Sequence, residues 1–516
     1  MIKPEDIGRT VRRYREKLLQ DDYRPTFHFA LPDSNGDPAD PNGAFYADGR
    51  YHIMYLYRTA EGNFHWAHIS SFDLLHWRHH TDALCVSGKD QGCFSGGAFL
   101  DDDGTAYLTF WKFPSPEENG DNGGTAIAFS KPPYEHWERI TPLAVEAGKT
   151  ELDRIDKGVR DELVEGKIRH VGCADPSNIW KMNGRYYLQT GNKKVLQYWG
   201  SGETADKYYS GDWTDLFCSD DMKNWRYVER FYINPHTDDT YPDETEDDMC
   251  PSFLPLYDAK ENGNKTDKYL QLFISHNRGC QYYVGELDGE RFIPFKHGRM
   301  SWRDNAYFAP EALIDEKNRH IMWAWLLDNP PCDFDTFGWS GVWSFPRVVW
   351  WENDTLRMSP VSELDLLQYD RHSPRPKENG EIEIHDGEVF RLRATFDCDA
   401  QDKAGFRVRV NKNGDSYASV YYDRERSSLV LDTSLCRDDK WGIKEEAPFE
   451  LSEGEMLSLD IFVDKSVIEV YANERQAICR RVYSKNASES VGVYLMGERE
   501  SLKSLNVWRL KPTNFY

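Results

Sequence analysis

The sequence predicts an all-β protein, a five-bladed β-propeller followed by a C-terminal β-sandwich, on three observations. A short unit of an apolar strand, a tight turn and an aromatic strand recurs through the first two-thirds of the 516 residues. Beyond about residue 375, strands of alternating polar and apolar residues continue without that unit. Aromatic residues make up 14% of the chain, and such residues are enriched in strands.

The recurring unit is interpreted as a β-hairpin, since Asp-Gly or Asn-Gly between alternating hydrophobic residues favours a two-residue turn. Three clear copies and two looser ones occupy 44–57, 98–111, 178–191, 255–276 and 312–326. Several units close with a turn that ends in Trp, as in SSFDLLHW, SKPPYEHW and SDDMKNW. Because repetition of this kind is typical of propeller blades, five blades are predicted.

Four segments are predicted in order along the chain. Residues 1–25 carry charges throughout and are expected to form a short amphipathic helical extension. Residues 26–368 form the five-bladed catalytic propeller, and residues 369–381 form a linker rich in proline and charge. Residues 382–516 form the sandwich domain, because their turns recur every ~8–12 residues, as expected for two packed antiparallel sheets.

Composition argues against several classes of protein. The formal net charge is -24, from 63 Lys+Arg against 87 Asp+Glu, which argues against a sequence-independent nucleic-acid binder. No apolar run of about 18 residues occurs, so no membrane span is predicted, and the first residues do not resemble a secretory signal. The cysteines are dispersed without a CxxC or a Cys/His cluster. This pattern predicts no metal site and no cofactor, and it favours a reducing cytoplasm.

Two Asp-Pro steps stand before predicted inner strands. Asp40 lies in DPADPNG at the first blade, and Asp175 lies in GCADPSNIW at a later blade. Inner strands of a propeller converge on its axis, so these carboxylates can meet there, and a carboxylate beside a rigid proline turn suits a nucleophile. The alternative is a plain Asx-Pro turn. In FSGGAF, Ser95 precedes glycines small enough to let a ligand approach the backbone.

With these motifs the chain resembles glycoside hydrolase family 32, the β-fructofuranosidases, which combine a five-bladed propeller with a β-sandwich. HFALPDSNGDPADPNG resembles the family's opening motif, and CFSGGAF, CADPSNIW, WRDNAYFAPEALID and GVWSFPRVV resemble later motifs in the same order. LDIFVDKSVIEVYANERQAICRRVY resembles a strand pair of the family's sandwich. The resemblance implies that Asp40 is the nucleophile and that Asp175 stabilises the transition state.

The resemblance also implies contacts with the sugar. Six residues are expected to bind substrate: Asn42, Trp66, Phe94, Ser95, Arg303 and Asp304. Phe94 and Ser95 lie in the motif that contacts the fructosyl unit. Trp66 resembles the family's sugar-platform tryptophan, although a tryptophan of the core fits the sequence equally well. Arg303 and Asp304 match a family Arg-Asp pair, which can also be a structural ion pair near the site.

Five positions depart from the family pattern. The Trp-Glu-Cys-Pro motif, which carries the acid/base Glu, is replaced by Asp-Met-Cys-Pro, with Met249 at the Glu position. Ala174 stands where the family has the Arg of Arg-Asp-Pro, Ala39 replaces an Asn, and Leu56 replaces a Gln. Because losing only one partner of a buried ion pair leaves an uncompensated charge, the joint loss of Glu and Arg indicates a reorganised subsite.

The identity of the proton donor is therefore open. Retaining glycoside hydrolysis uses two carboxyls ~5–5.5 Å apart, one as nucleophile and one as proton donor. Asp248 is one residue from the family position, and a local bulge can aim it inward, so it is preferred. Glu246, Asp247 and Glu311 are alternatives. The acidic run 246–248 can instead be a solvated turn, as charge runs usually are.

His28 and His170 flank the two Asp-Pro motifs, and packing in the core is a better interpretation of both than proton donation. The expected function is a retaining glycosidase that cleaves terminal β-fructofuranosides or related furanosides, of the fructan or sucrose type, through a covalent Asp40 intermediate. A catalytically silent carbohydrate-binding propeller, a fructosyltransferase and an enzyme for a different furanoside are the alternatives. The expected partner is an oligosaccharide or small glycoside, without nucleic acid or membrane, for a monomer or homodimer.

Overall fold

The computed structural model describes residues 3–32, 35–86, 92–114, 122–148, 158–164, 166–193, 212–233, 246–276, 278–328, 337–399, 401–436, 442–484 and 490–514. The chain divides into two compact units. The large unit comprises Leu31–Leu327 and Cys332–Arg357, and the small unit comprises Met1–Ala30, Asp328–Pro331 and Met358–Tyr516.

The first part of the large unit contains two antiparallel sheets and a two-stranded ribbon. Sheet 1 pairs its strands in chain order: β1 (Pro41–Ala47), β2 (Arg50–Arg58), β3 (Phe64–Ser71) and β4 (Arg78–His79). Sheet 2 contains β5 (Cys93–Phe94), β6 (Ala98–Leu100), β7 (Ala106–Lys112), β8 (Gly124–Ser130), β9 (Glu138–Arg139) and β10 (Val145–Glu146). The ribbon pairs β11 (Val159–Val164) with β12 (Lys167–Gly172).

Three more antiparallel sheets follow. Sheet 3 contains β13 (Trp180–Met182), β14 (Arg185–Thr190), β15 (Asp215–Ser219) and β16 (Trp225–Arg230). Sheet 4 contains β17 (Met249–Tyr257), β18 (Lys265–Ser275), β19 (Gly279–Asp288) and β20 (Arg291–Arg299). Sheet 5 contains β21 (Tyr307–Ile314), β22 (His320–Leu326), β23 (Val342–Trp343), β24 (Arg347–Glu352) and β25 (Thr355–Pro360).

The hairpins predicted from the recurring unit are confirmed. In the turn between β1 and β2, Asp48 and Gly49 have φ of 51° and 73°. In the turn between β13 and β14, Asn183 and Gly184 have φ of 51° and 76°. Two successive positive φ angles define the hairpin turn that matches the twist of the strands, which is why these residue pairs stand there.

The segments SSFDLLHW, SKPPYEHW and SDDMKNW form the same turn in sheets 1, 2 and 3. Leu74, Tyr134 and Met222 occupy the same place in it, with φ of 64°, 63° and 64°. Asp73 and Asp221 each accept backbone N–H groups two and three residues further on, at 2.8–3.0 Å. Each of the three strained residues buries its side chain, and this packing holds a backbone conformation that is otherwise disfavoured.

Apolar clusters join consecutive sheets of the large unit. Sheets 1 and 2 share Met54, Trp66, Leu108 and Phe110. Sheets 2 and 3 share Ile127, Leu188 and Phe217, and sheets 3 and 4 share Tyr187, Phe231, Phe253 and Phe292. Burial of these side chains between neighbouring sheets is what fixes the first strand of each sheet relative to the next.

The first strands of sheets 1, 4 and 5 are interrupted at corresponding places. The register shifts within 42–45 of β1, 249–252 of β17 and 308–311 of β21. All three irregularities contain a residue of positive φ, namely Gly43 at 57°, Cys250 at 49° and Ala309 at 46°. A bulge changes the direction of the side chains next to it. These three bulges therefore determine which side chains at the starts of β1, β17 and β21 face the candidate site.

The small unit contains a helix, two six-stranded antiparallel sheets and two short 3-10 helices, Ser362–Leu367 and Arg499–Ser501. The helix is α1 (Pro4–Leu19). The strands are β26 (Gln368–His372), β27 (Glu381–Ile382), β28 (Val389–Phe396), β29 (Lys403–Asn411), β30 (Ala418–Asp423), β31 (Ser428–Asp432), β32 (Lys444–Pro448), β33 (Leu457–Asp464), β34 (Val467–Ala472), β35 (Gln476–Arg481), β36 (Ser490–Met496) and β37 (Leu502–Leu510). The sheet orders are β26-β37-β28-β33-β34-β35 and β27-β36-β29-β30-β31-β32.

The start of the chain is tied to the small unit by Asp464. The buried carboxylate of Asp464 accepts the backbone N–H groups of Thr26, Phe27 and His28 at 2.7–2.9 Å. The His28 ring also lies 3.0 Å from this carboxylate and is fully buried. His28 is therefore a packed histidine. No helix among the described residues is long and apolar enough to cross a membrane.

Candidate active site

Asp40 is fixed at the start of β1, with only 3% of its surface exposed. Its carbonyl accepts hydrogen bonds from the Leu56 N–H at 3.0 Å and from the Asn42 side-chain amide at 2.9 Å. The Ser95 hydroxyl donates to the Asp40 carboxylate. The backbone and the carboxylate of Asp40 are thus held by different residues, which leaves the carboxylate in a single defined orientation.

Two glycines let the segment of Ser95 approach its neighbours. A Cβ on Gly96 would lie 2.0 Å from the Thr109 carbonyl oxygen, and one on Gly97 would lie 2.4 Å from the Asn178 nitrogen. The Gly96 N–H also donates to Asn42 at 3.1 Å. The prediction that these glycines admit a ligand therefore needs correction, because the space that a Cβ would fill is occupied by protein backbone.

Asp175 lies beside the segment that Gly97 contacts. It is 4% exposed and has a φ of 42°. The Cys250 thiol donates to its carboxylate at 3.6 Å. The side chain of Asn178 binds the backbone N–H and carbonyl of Phe253 at 2.8 and 3.0 Å. These contacts connect the Asp175 segment to β17 and hold a backbone conformation that a non-glycine residue rarely adopts.

The two aspartates interact electrostatically. Burial raises the pKa of Asp40 to about 7, an effect that the hydrogen bond from Ser95 opposes and the charge of Asp175 reinforces. Burial also raises the pKa of Asp175 to about 6, although the positive charges of Lys193 and His276 favour its ionised form. The structure therefore brings the two sequence-predicted aspartates into one site, together with two cationic side chains that the sequence analysis did not single out.

His276 is the most accessible titratable group of this site. Its Nδ1 lies 2.7 Å from a carboxylate oxygen of Asp247, and its backbone N–H donates to the other oxygen at 3.0 Å. Its side chain is 38% exposed, against 4% for that of Asp247. Burial alone would lower the pKa of His276, but the hydrogen bond and the charges of Asp247 and Asp175 raise it overall. A protonated imidazole is thus stabilised at the surface of the site.

A signal in the sequence could have identified this pair. The hairpin of β17 and β18 pairs Met249 with Ile274. Continuing the same antiparallel register two residues outward places Asp247 opposite His276. The hairpin itself was predicted over 255–276, so an extension of its pairing would have brought the histidine next to the acidic run.

The structure corrects the preferred proton donor, Asp248. This residue is fully buried, and its pKa is raised well above its ordinary value by burial and by the charges of Asp212 and Glu246. The charge of Asp248 in turn raises the pKa of Tyr232. Its side chain therefore belongs to a sealed acidic cluster, because the strand end turns it away from the side on which Asp247 holds His276.

The two remaining carboxylate candidates are both occupied by protein groups. Glu246 forms an ion pair with Arg278 and accepts a hydrogen bond from Gln281 at 2.9 Å. Glu311 accepts the N–H groups of Gly43 at 3.1 Å and Ala312 at 3.2 Å. Burial raises the pKa of Glu311 to about 8. The hydrogen bond from Gly43 connects Glu311 of β21 to β1, and its role as a proton donor stays a prediction.

The predicted substrate contacts of the first two sheets divide into three kinds. Trp66 has no exposed surface and packs within the core of sheets 1 and 2. The interpretation of Trp66 as a sugar platform is therefore wrong, because no ligand can reach its ring. Asn42 has its amide groups bound to Asp40 and Gly96, so it positions the site. Phe94 is partly exposed, with its ring stacked on that of Phe113 at 5.5 Å, and it can still face a sugar.

Arg303 and Asp304 lie in the segment between sheets 4 and 5. Arg303 is exposed. The Asp304 carboxylate accepts the Ala306 N–H at 3.0 Å, and the neighbouring Asn305 accepts the N–H of Gly279 at 2.8 Å. This segment is thus anchored at the start of β19, two to three residues beyond His276 in the chain. The contact of Arg303 and Asp304 with a sugar stays a prediction.

One of the departures from the family pattern, Ala174, has a structural explanation. Ala174 is fully buried and faces Gly158, where an added Cβ would lie 3.1 Å away. The Lys193 ammonium lies 4.7 Å from the ring centre of Trp111, which itself borders Gly158. Lys193, in the segment after β14, therefore brings a positive charge to Asp175, whereas the family pattern has an arginine at position 174.

Two interacting buried carboxylates, beside a half-exposed histidine that can exchange a proton, define a site for hydrolysis or transfer at an acetal carbon. Residues 32–360 match the N-terminal domain of the glycosyl hydrolases family 32, and residues 355–509 match the family 32 C-terminal domain. The chain therefore belongs to glycoside hydrolase family 32, as the motifs implied.

Individual relatives agree over the whole chain. The chain is 24% identical to a levanase of Bacillus subtilis, covering 95% of this chain and 71% of that protein, and 24% identical to a raffinose invertase of Escherichia coli, covering 94% and 95%. The fructan 1-exohydrolase IIa of Cichorium intybus has 18% identity with a TM-score of 0.76, over 96% of this chain and 98% of that structure. This likeness shows the fold, an N-terminal β-propeller followed by a β-sandwich.

Proposed function

We propose that the chain is a retaining glycosidase that releases terminal β-fructofuranosyl units from sucrose-type or fructan-type oligosaccharides. The observation that carries this proposal is the pair of Asp40 and Asp175, buried together and oriented by Ser95 and Cys250. Relatives named levanase, raffinose invertase and sucrose-6-phosphate hydrolase support a fructoside as the substrate class.

The two aspartates have different roles in this proposal. Asp40 attacks the anomeric carbon and forms the covalent glycosyl intermediate, because its carboxylate is held rigidly at a strand end. Asp175 accepts hydrogen bonds from sugar hydroxyls, which strengthen as positive charge develops on the ring. Ser95 keeps one oxygen of Asp40 in place, and the partly exposed ring of Phe94 contacts the apolar face of the sugar.

The finer architecture belongs to the same proposal. Sheets 1 to 5 are the five blades, and their first strands meet around the axis where Asp40 and Asp175 lie. The proposed bounds are 26–368 for the catalytic domain and 382–516 for the sandwich. The segment 369–381 between them, predicted as a linker, contributes β26 to a sheet of the small unit. A cytoplasmic location is part of the proposal, since the dispersed cysteines of the sequence suit a reducing compartment.

The test is turnover of three substrates by the full chain: sucrose, levan and an aryl β-fructofuranoside. Release of fructose is expected from the wild-type protein and a loss of about 10⁴-fold or more in Asp40→Asn. Rapid quenching followed by mass spectrometry should find the sugar on the peptide of Asp40. Asp102→Asn, at an exposed turn, is the matched control with unchanged activity. Binding without turnover by the wild-type chain would instead identify a silent carbohydrate-binding propeller.

A further inference from the structure

We propose that His276, oriented by Asp247, is the acid/base residue of this enzyme and replaces a catalytic glutamate. The inference rests on the proposed function, because it assigns the proton donor of that reaction. It requires that the Glu position holds Met249 and that the other candidate carboxylates bind protein groups. It also requires a histidine that is fixed by hydrogen bonds and interacts electrostatically with the nucleophile. Each of these conditions is met by residues that the structure describes.

The position of the family glutamate cannot supply a proton. Met249 is 1% exposed, and its thioether carries no dissociable proton. The nearby acidic groups do not take over its role: Glu246 is paired with Arg278, and Asp248 lies in the cluster of Asp212. Within the acidic run 246–248, Asp247 is the residue that binds His276. Through this histidine it is connected to the site.

The hydrogen bond between Asp247 and His276 sets which ring nitrogen reacts. A carboxylate only accepts hydrogen bonds, so the nitrogen 2.7 Å from Asp247, Nδ1, carries a proton. The proton that is exchanged is therefore the one on Nε2. The backbone of Asp247 is itself fixed by two hydrogen bonds. Its N–H donates to the Ser275 hydroxyl at 3.2 Å, and its carbonyl accepts the Asn192 N–H at 2.8 Å. A carboxylate fixed in this way orients the imidazole and stabilises its charged form.

The groups around His276 suit a proton donor that alternates between two charge states. The segment before β17 contributes Asp247, the segment before β13 contributes Asp175, and the segment after β14 contributes Lys193. The charge of His276 also acts on Asp40, whose ionised form it favours. From β21 the ring of Phe308 meets that of His276 at 5.7 Å. Two carboxylates therefore favour the imidazolium, while the ammonium of Lys193 opposes it.

The proposed step balances in protons and electrons. As the Asp40 oxygen forms a bond to the anomeric carbon, the bond to the leaving oxygen breaks, and that oxygen receives the proton from His276 Nε2. In the second step the neutral imidazole takes a proton from water as the water oxygen attacks the anomeric carbon. The sugar leaves with this oxygen, the Asp40 carboxylate is restored, and His276 returns to its protonated form.

The test separates substrates by their need for a proton. In His276→Gln, turnover of sucrose is expected to fall by about 10²–10⁴-fold, since its leaving alkoxide is strongly basic. The first, bond-breaking step with a nitrophenyl β-fructofuranoside should change by less than about tenfold, because nitrophenolate leaves without protonation. Azide, which needs no general base, should accelerate breakdown of the intermediate and give a fructosyl azide. Equal losses on both substrates, or no loss on sucrose, would overturn the assignment.

Two further variants separate catalysis from folding. Asp247→Asn should keep the fold but move the alkaline limb of the pH profile of kcat/KM to lower pH, because the imidazolium loses its carboxylate partner. His76→Ala is the matched control, since His76 forms the same kind of pair with Asp73, at 2.8 Å and 43% exposure, in the closing turn of sheet 1. Its activity should match wild type. An unmoved alkaline limb in Asp247→Asn would contradict the positioning role.

The outcomes also separate this inference from the proposed function. If Asp40→Asn abolishes turnover while His276→Gln leaves sucrose hydrolysis intact, the glycosidase proposal stands and the histidine assignment fails. If Asp40→Asn retains turnover, or the wild-type chain cleaves no fructoside, the proposed function fails and the assignment fails with it. Thermal unfolding of each variant within a few degrees of wild type establishes that the comparison concerns catalysis.

Discussion

Two groups of buried carboxylates lie in the large unit, and they differ in what surrounds them. In the first, the catalytic cluster, Asp40 and Asp175 lie near the cations Lys193 and His276. One member of this cluster, His276, is 38% exposed on its side chain. The charges are thus partly compensated, and a proton can be exchanged with a ligand or with water.

The second group, the acid–tyrosine cluster, consists of Asp212, Asp248, Tyr232 and Tyr283. All four side chains are buried. Tyr283 donates its hydroxyl hydrogen bond to Asp212, and the neighbouring carboxylates raise the pKa of both tyrosines in addition to burial. This cluster is buried, and the pKa of its member Asp248 is raised well above its ordinary value by burial and by the charge of Asp212.

The comparison shows that a raised pKa is not enough to identify a catalytic carboxyl. Asp40 and Asp248 are both buried aspartates with raised pKa values. They differ because cations and an accessible group lie next to Asp40, whereas acids and phenols lie next to Asp248. Perturbed titration therefore points to function only when a charged partner and access to the site accompany it.

The largest expected effect comes from the same substitution made in both clusters. Asp175→Asn removes the charge that faces the developing oxocarbenium ion and should lower kcat/KM for sucrose by about 10²–10³-fold. Asp248→Asn should leave kcat/KM within about threefold of wild type, because this side chain contacts no substrate. Steady-state kinetics at pH 7 measures both. A large loss in Asp248→Asn would return this residue to consideration as the proton donor.

A second prediction concerns how the catalytic cluster is assembled. Gly97→Ala places a Cβ 2.4 Å from the Asn178 nitrogen, which forces the Ser95 and Asp175 segments apart. Overpacking of this kind costs about 1–3 kcal/mol, and activity should fall by more than tenfold. Gly8→Ala in α1 is the control, since an added Cβ there meets nothing within 4 Å and its helical backbone conformation suits alanine. Equal activities in the two variants would show that the glycine does not set the distance between the aspartates.

The sequence was sufficient to predict features that depend on local chemistry. The hairpin turns followed from Asp-Gly and Asn-Gly pairs, and Asp40 and Asp175 followed from Asp-Pro motifs beside strands. Trp66 was ambiguous because an aromatic residue in a strand suits both a core and a sugar platform, and only its burial decides between them. The sequence indicated that another group approaches the glycines of FSGGAF closely. It did not indicate that this group is protein backbone rather than a ligand.

The roles of the acidic run 246–248 could not be predicted, because three consecutive residues at a strand end face different directions. Glu246 pairs with Arg278, Asp247 binds His276 and Asp248 joins the acid–tyrosine cluster. A one-residue change of register exchanges such roles. The family motif pointed to position 249, and the proposed proton donor lies on the strand opposite it.

The acid–tyrosine cluster gives the third prediction, which concerns stability. The pKa of Asp248 is raised above its ordinary value of 3.8 in the folded protein, so its contribution to stability is complete below about pH 4 and decreases as pH rises toward the folded pKa. Asp248→Asn does not ionise and should be more stable than wild type near pH 8 by about 1–3 kcal/mol, with a smaller difference near pH 5. Urea unfolding at both pH values measures this. Greater destabilisation at pH 8 than at pH 5 would contradict the raised pKa.

The smallest expected effect is a shift of the pH profile in Lys193→Met. The Lys193 ammonium lowers the pKa of Asp175 and opposes protonation of His276, so its removal raises both pKa values. Because Asp175 acts ionised and His276 acts protonated, the acid and alkaline limbs of kcat/KM should both move to higher pH, by less than about one unit. Lys193→Arg keeps the charge and should keep the wild-type profile. Asp247→Asn is expected to move both limbs in the opposite direction, because the charge of Asp247 raises the pKa of Asp175 as well as that of His276. The two variants together therefore test whether opposite charges beside the same cluster shift its pH profile in opposite directions.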